Sequence, residues 1–187
     1  MKTRSIITIM LLMPWLILAQ TWKNDPTHSR MGFEVSHLTI SDVSGIFKTF
    51  EVTITSGKED FSDAKISVVV DLNSIDTEVE PRDNHLKSPD FFEVKTYPKI
   101  TFTSTSVKAV DKNTYKITGT LNLHGITLNH SFTMEYNGTI ANDKGTTAGF
   151  KVTGSLLRSD YGIGNKFPIN VIGDKVNIVV DLEMKKQ

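Results

Sequence analysis

An all-β fold is the architecture this sequence predicts: eight antiparallel strands closed into an up-and-down barrel, with a short helical insertion between strands three and four. Three observations predict it. Apolar residues recur at every second position in eight separate runs, short polar turns join most of those runs, and one long connection, residues 73–99, interrupts them. Alternation of this kind gives a strand one apolar and one wet face. Closing eight such strands into a barrel removes their unpaired edges. A two-sheet sandwich fits the same spacing and stays open as the alternative, but the one long crossing, placed to cap an end, favours the barrel.

The strands follow in order. Met31, Phe33 and Val35 alternate with Gly32 and Glu34, and Phe50, Val52 and Ile54 alternate with Glu51 and Thr53 in a strand begun near Val43. A turn rich in Gly, Lys, Asp and Ser leads to Ile66, Val68, Val70 and Leu72. The long connection then begins with a polar helix candidate: Pro81 suits a first helical turn, Leu86 is its apolar anchor, and Ser88-Pro89 stops it. Phe91, Phe92 and Tyr97 follow, and after Pro98 the period returns to two with Ile100 and Phe102. Tyr115 to Leu123, Leu128 to Tyr136, Phe150 to Leu156 and Val176 to Leu182 supply the last four strands. Lys112-Asn113 and Asp143-Lys144 sit at two of the tight turns between them.

Residues 1–19 are set apart. Lys2 and Arg4 precede an apolar run over residues 6–18, which is short for a bilayer span and ends at Ala19. This reads as a secretory signal cut before Gln20, with residues 20–187 as one domain outside the cytoplasm, in a periplasm or secreted. Without that segment 19 basic residues face 21 acidic ones, a net charge of −2. No basic tract marks a nucleic-acid footprint. The chain contains no cysteine, so neither a disulfide nor a lipidated cysteine is available.

Groups suited to catalysis are sparse. The five histidines are His28, His37, His85, His124 and His130, with neither an HExxH motif nor paired histidines at metal-ligand spacing. His28, His37 and His124 read as turn caps. Asp83 and His85 stand two apart, which is weak evidence for a ligand pair. No GxSxG elbow is present to activate a serine. Arg158, at the end of a strand in the run Arg158-Ser159-Asp160-Tyr161-Gly162, is placed to pair with an acidic group or a ligand head. No catalytic residue, metal ligand or cofactor is assigned.

Several blocks carry a family resemblance: WKNDPTHSRMGFEVSHL, SDVSGIFKTF, SIDTEVEPRDNHLKSPDFFEVKTYPKITFTST, GTLNLHGIT and LRSDYGIG. In this order and spacing the chain resembles the YceI-like family, periplasmic polyisoprenoid-binding proteins with a lipocalin-like barrel. The resemblance spans essentially all of residues 22–187. It implies a helical insertion lying against an elongated apolar interior that holds an isoprenoid or similar lipid. Arg82, Asp83, His85 and Leu86 fall on the family's RDxHL-type segment, Phe91 and Phe92 on its paired aromatics, and His124 to Thr127 on its HGxT-type turn. Arg158 and Gly162 match its RxDFG-type segment, where Tyr161 replaces the usual phenylalanine. That change keeps the ring and adds a hydroxyl, so it bears on head-group preference rather than on fold.

Function follows as an expectation: the chain binds and sequesters or carries a long-chain hydrophobic ligand, and does so without chemistry. Strand parity and the central aromatics place Phe33, Val35, Phe50, Val52, Val68, Phe91, Phe92, Phe102, Leu121, Phe132, Met134, Phe150, Val152 and Ile178 at the ligand, with Val70 and Val180 on the same face. Ordinary core packing explains each of these equally well. Arg82, Asp83, His85, His124 and Arg158 are the polar set, for a head group or for structure. The expected partner is an isoprenoid or other long-chain lipid. Transient membrane contact is compatible with that, nucleic acid is not expected, and monomer and dimer both stay open. A filled structural or interaction barrel is the alternative, with a secreted hydrolase behind it.

Overall fold

The structure, a computed structural model, describes residues 19–187; the expected secretory signal otherwise lies outside the described residues. From the first described residues, the chain lays down two extended passages that are each broken in the middle. β1 (Gln20–Asn24) and β2 (Arg30–His37) are separated by a turn, and β3 (Ser41–Phe47) and β4 (Phe50–Ser56) by Lys48 and Thr49. β5 (Lys65–Asp71), β6 (Ile75–Asp76), α1 (Glu80–Leu86), β7 (Lys99–Asp111), β8 (Thr114–Leu123), β9 (Ile126–Asn142), β10 (Gly145–Leu157) and β11 (Ile172–Lys186) follow. β1 and β2 share one position of a ring and β3 and β4 the next; β5, β7, β8, β9, β10 and β11 complete it, antiparallel throughout. Pairing of β1 with both β4 and β11 closes an eight-position barrel.

The helix position needs correction. It lies between β6 and β7, not between strands three and four, because both opening passages divide into two pairing segments and the two-residue β6 precedes it. Both breaks keep their backbone groups bonded. Lys48 N–H donates to Ser74 O and Thr49 N–H to Ser74 Oγ, while Asp25 N–H donates to Glu183 O. Each break also shifts the parity of the inward positions, so Trp22 and Met31 both point inward, as do Phe47 and Val52.

One end of the barrel is plugged. The 57–64 turn inserts Phe61, only 1% exposed, against Trp22, Phe150 and Tyr136 at centroid distances of 5.3, 4.9 and 5.2 Å. Tyr115 there donates its hydroxyl to Asp60 O at 2.5 Å. The other end is covered by residues 72–98, which include α1, and by residues 158–171. Between the two ends, inward-facing glycines make room for rings. A Cβ at Gly45, Gly119 or Gly154 would come within 2.5, 2.7 and 2.5 Å of Phe33, Phe102 and Phe132 respectively. These rings therefore lie against the wall, where a side chain would otherwise stand.

Candidate functional site

The inward parity of the strands produces a lumen, and its walls are hydrocarbon. A deep cavity of about 120 Å³ is lined by Val52, Ile54, Ile66, Val68, Val70, Ile117, Leu121, Met134, Val152, Val180 and Leu182 together with Phe102 and Phe132. No polar side chain lines it. That volume is several times the roughly 10–15 Å³ needed by one water, and an apolar lining of this kind stays dry. Toward the covered end follows a second cavity of about 100 Å³, sharing Phe47, Ile100, Leu123, Leu156 and Ile178 with the first. A third, of about 270 Å³, shares Phe33, Val35, Leu86, Phe91 and Ile172 with the second and adds Ser36, His37, Arg82 and His85. The series runs from a dry apolar floor to a rim with polar groups.

Phe91 and Phe92 both line the middle cavity, and Phe91 borders the outer one as well. Phe91 stacks on Phe167 at 5.0 Å with 15° between the planes, and His85 meets it edge-on at 5.0 Å. Phe92 stands edge-on to Phe47 at 6.5 Å. The ring of Phe91 is thus part of the wall shared by the middle and outer spaces, with Phe33, Val35, Leu86 and Ile172, and is packed against Phe167 of the 158–171 segment.

Of the apolar residues expected at the ligand, two lie elsewhere. Phe150 belongs to the plug at the far end, and Phe50 packs on the core without lining these cavities. The other twelve border the lumen, alongside unforeseen neighbours such as Phe47, Leu156 and Ile163. Leu156 shares the parity of Val152 and was within reach of that rule. Phe47 was not, because the Lys48-Thr49 break separates its parity from that of Phe50.

The five polar residues do not converge on one point. Arg82 donates from Nε to Thr77 Oγ1 at 2.7 Å and from Nη2 to Thr77 O at 2.6 Å. Asp83 accepts from Thr77 N at 2.9 Å and Thr77 Oγ1 at 2.5 Å, so both residues fasten the β6–α1 corner. His85 lies at the outer cavity with Nε2 3.5 Å from Asp90. His124 and Gly125, with φ of 52° and 76°, form the two-residue β8–β9 turn. The His124 Nδ1 is bonded to Tyr161 O at 2.8 Å, while its Nε2 and the Tyr161 hydroxyl are buried without partners. Burial pushes the Tyr161 phenol pKa up, with the nearby Asp160 charge adding to the effect.

Of the two roles left open for Arg158, head group or structure, its contacts favour the second. Its guanidinium, 5% exposed, borders the middle cavity, yet all its N–H groups are engaged. Nε donates to Gly173 O, Nη1 to Ile163 O and Gly164 O, and Nη2 to Phe167 O and Ile172 O, at 2.8–3.1 Å. An arginine has five such donors, so none is left for a ligand head. The sequence placed a cation at a strand end but carried no sign that the next fifteen residues would wrap around it.

A group able to hold a cation lies away from the lumen. Asp25, His28 and Glu183 bring ligand atoms within 4.8 Å of one another, but Lys185 Nζ already stands 2.7 Å from Asp25 Oδ2 and supplies the positive charge.

Comparison with known proteins agrees with this architecture. A family model for the YceI-like domain matches residues 22–184. The UPF0312 protein SA2479 of Staphylococcus aureus strain N315 is 40% identical over 141 residues, covering 74% of this chain and 80% of the relative. The crystal structure of a Campylobacter jejuni YceI protein superposes with a TM-score of 0.74 at 31% identity, covering 81% of this chain and 90% of that one. A polyisoprenoid binding domain from Saccharophagus degradans, implicated in plant cell wall breakdown, shares the fold with a TM-score of 0.67 at 20% identity, over 89% of this chain and 98% of that one.

Proposed function

We propose that this chain, which belongs to the YceI-like domain family, binds a long-chain hydrophobic ligand in its barrel and carries or sequesters it through an aqueous compartment. The observation that carries this reading is the series of cavities, apolar at its floor and polar only at its rim. Moving hydrocarbon from water into such a space recovers on the order of 0.8 kcal/mol per buried CH₂, before the cost of association. A polyisoprenoid or related lipid fits best, because a branched, flexible chain can follow a narrow and uneven bore. The polyisoprenoid binding domain with the same fold supports that choice. The deep and middle cavities are lined by no hydroxyl, imidazole or carboxylate, which supports a ligand that is held and not transformed. Arg82 and His85, the two polar candidates at the outer cavity, stand where a head group would come to rest. The compartment is the periplasm or the exterior.

Organic extraction of the protein purified from its own secretory compartment, followed by mass spectrometry, tests the reading. A long-chain isoprenoid lipid near one per molecule is the expected result. Protein that emerges free of lipid and takes up no fluorescent long-chain probe would leave a barrel without a ligand.

A further inference from the structure

We propose that the β2–β3 turn and the adjoining turn at residues 168–171 form a docking surface for a lipid bilayer, positioned so that a tail passes between membrane and lumen without crossing water. The passage of the tail rests on the binding reading above; the docking surface stands on its own geometry.

The β2–β3 turn is built against local preference. Ile40 N–H donates to His37 O at 3.2 Å, and the two residues between them, Leu38 and Thr39, both have left-handed backbones with φ of 53° and 61°. Asn-Gly fills such a turn without strain, whereas a β-branched residue at positive φ is a genuine outlier. The turn gains no burial from this strain: Leu38 is 47% exposed, Thr39 is exposed, and Ile40, which follows them, is 84% exposed. Beside them Ile169, 69% exposed, sits in a turn closed by Val171 N–H donating to Pro168 O at 2.9 Å. Leu38 N–H donates to Val171 O at 2.9 Å, which locks the two turns into one projecting unit.

This unit is continuous with the lumen. Val35 and His37 precede the first turn, Val171 and Ile172 end the second, and all four line the outer cavity. Aliphatic side chains therefore lead from the tip to the inside of the barrel along the second segment, through Ile169, Val171 and Ile172, while Ser36 and His37 stand between Val35 and Leu38 on the first. The form of the surface selects its occupant. The exposed apolar side chains of the two turns are Leu38, Ile40 and Ile169, set among the uncharged Thr39 and Asn170, and the turns carry neither the aromatic nor the arginine anchors that dominate protein interfaces. Insertion into the boundary between head groups and acyl chains scales with the apolar area buried, which these three aliphatic side chains supply. The charges flanking the two turns in sequence are mixed, Asp42 after the first and Asp174 and Lys175 after the second, and Lys166 before the second is paired with Asp90, so attachment is by apolar insertion and requires no anionic lipid.

The absence of cysteine from the chain makes the test direct. Ile40→Cys carries one environment-sensitive fluorophore at the tip, and Ile140→Cys carries the same label on β9 near the plugged end. Phosphatidylcholine vesicles are expected to shift emission to the blue at position 40 and leave position 140 unchanged. The combined variant Leu38→Asn, Ile40→Ser and Ile169→Ser keeps a residue suited to positive φ at the turn. Its transfer of a fluorescent long-chain lipid out of vesicles is expected to slow by about tenfold or more, the effect of removing buried aliphatic area. Uptake of the same probe injected from ethanol should match the parent, and that arm alone decides whether the lumen binds a tail. No shift at position 40, equal shifts at both positions, or a shift that follows protein concentration without vesicles would overturn the docking surface. The last result would assign the tips to a second copy of the chain.

Discussion

Arg158 shows how one side chain can hold a closure in place. Five carbonyls from Ile163, Gly164, Phe167, Ile172 and Gly173 converge on it, so the 158–173 segment is wound around a single cation. Arg158→Ala would take a donor from each of those carbonyls, of which Gly164 O keeps the Phe167 N–H, and a loss of about 3 kcal/mol or more in unfolding free energy is expected. Arg158→Lys should recover only part of it, since an ammonium has three donors and no fork. Thermal unfolding, measured alongside lipid occupancy per folded molecule, checks this; unchanged stability with lost occupancy would instead make Arg158 a head-group residue. Asp25 does comparable work at the β1–β2 break. Hydrogen bonds from Lys185, then His28 and Thr27, hold its carboxyl well below the usual carboxylate range. The Asp25 carboxylate in turn raises the His28 imidazole from its ordinary 6.5. The Asp25 contribution is present above its unfolded pKa near 3.8 and fades as pH falls toward the depressed folded value. That of His28 is complete below 6.5 and fades as pH rises through the raised folded value. Stability from this turn should therefore plateau between those two unfolded values, and Asp25→Asn should flatten both limbs of a pH series of melting temperatures.

At the scale of elements, the insertion and the 158–171 segment meet across Phe91, and under the proposed function that ring is where access is expected to be controlled. Phe91→Ala removes one ring of the wall shared by the middle and outer cavities. Uptake and release of a fluorescent long-chain lipid should both accelerate several-fold, at a stability cost of about 3–5 kcal/mol for a buried ring. Stopped-flow uptake in the folded variant decides the matter, and a parental rate would show that the ring is only a fastening. Much of this was legible in advance. Period two located every strand of the ring from β7 onward, because each keeps an unbroken alternating run, although irregularities between Ser104 and Ser106, Ala109 and Asp111, and Gly149 and Phe150 interrupt the ladders beyond it. The first two passages were read less well, since the turn after Asn24 and the Lys48-Thr49 break reset which residues face inward. The insertion was recognisable by its Pro81 start and its aromatics, but the placement of its rings depends on Phe167 and Phe47, remote in sequence. The polar set was legible as residue types and not as roles. Arg158 spends all of its hydrogen bonds on the backbone of the segment it holds down, and Arg82 and Asp83 divide theirs between the backbone and the hydroxyl of Thr77.

For the whole molecule, the hollow centre sets stability against capacity. Val68 faces the deep cavity and is paired in register with Val52 on one side and Phe102 on the other. Val68→Phe should fill part of that space, leaving the empty protein as stable or up to about 1 kcal/mol more so. The longest chain it retains should shorten by several carbons, readable with a homologous series of fluorescent lipids; full retention of the longest would place the tail elsewhere. A different consequence lies in the pairing of β11. Its outer border is met by β2 along residues 172–181 and by β1 along residues 184–186. On a ribosome those two segments are made first and their partner last, so nearly the whole chain must wait for the seam. Until it shuts, the protein is a curled sheet with two open borders and its apolar face in water, the state most prone to pair with a neighbour. The bore has no existence before that step. Folding is complete only when the space for cargo is, so a lipid present at closure would join the final collapse as though it were part of the polypeptide.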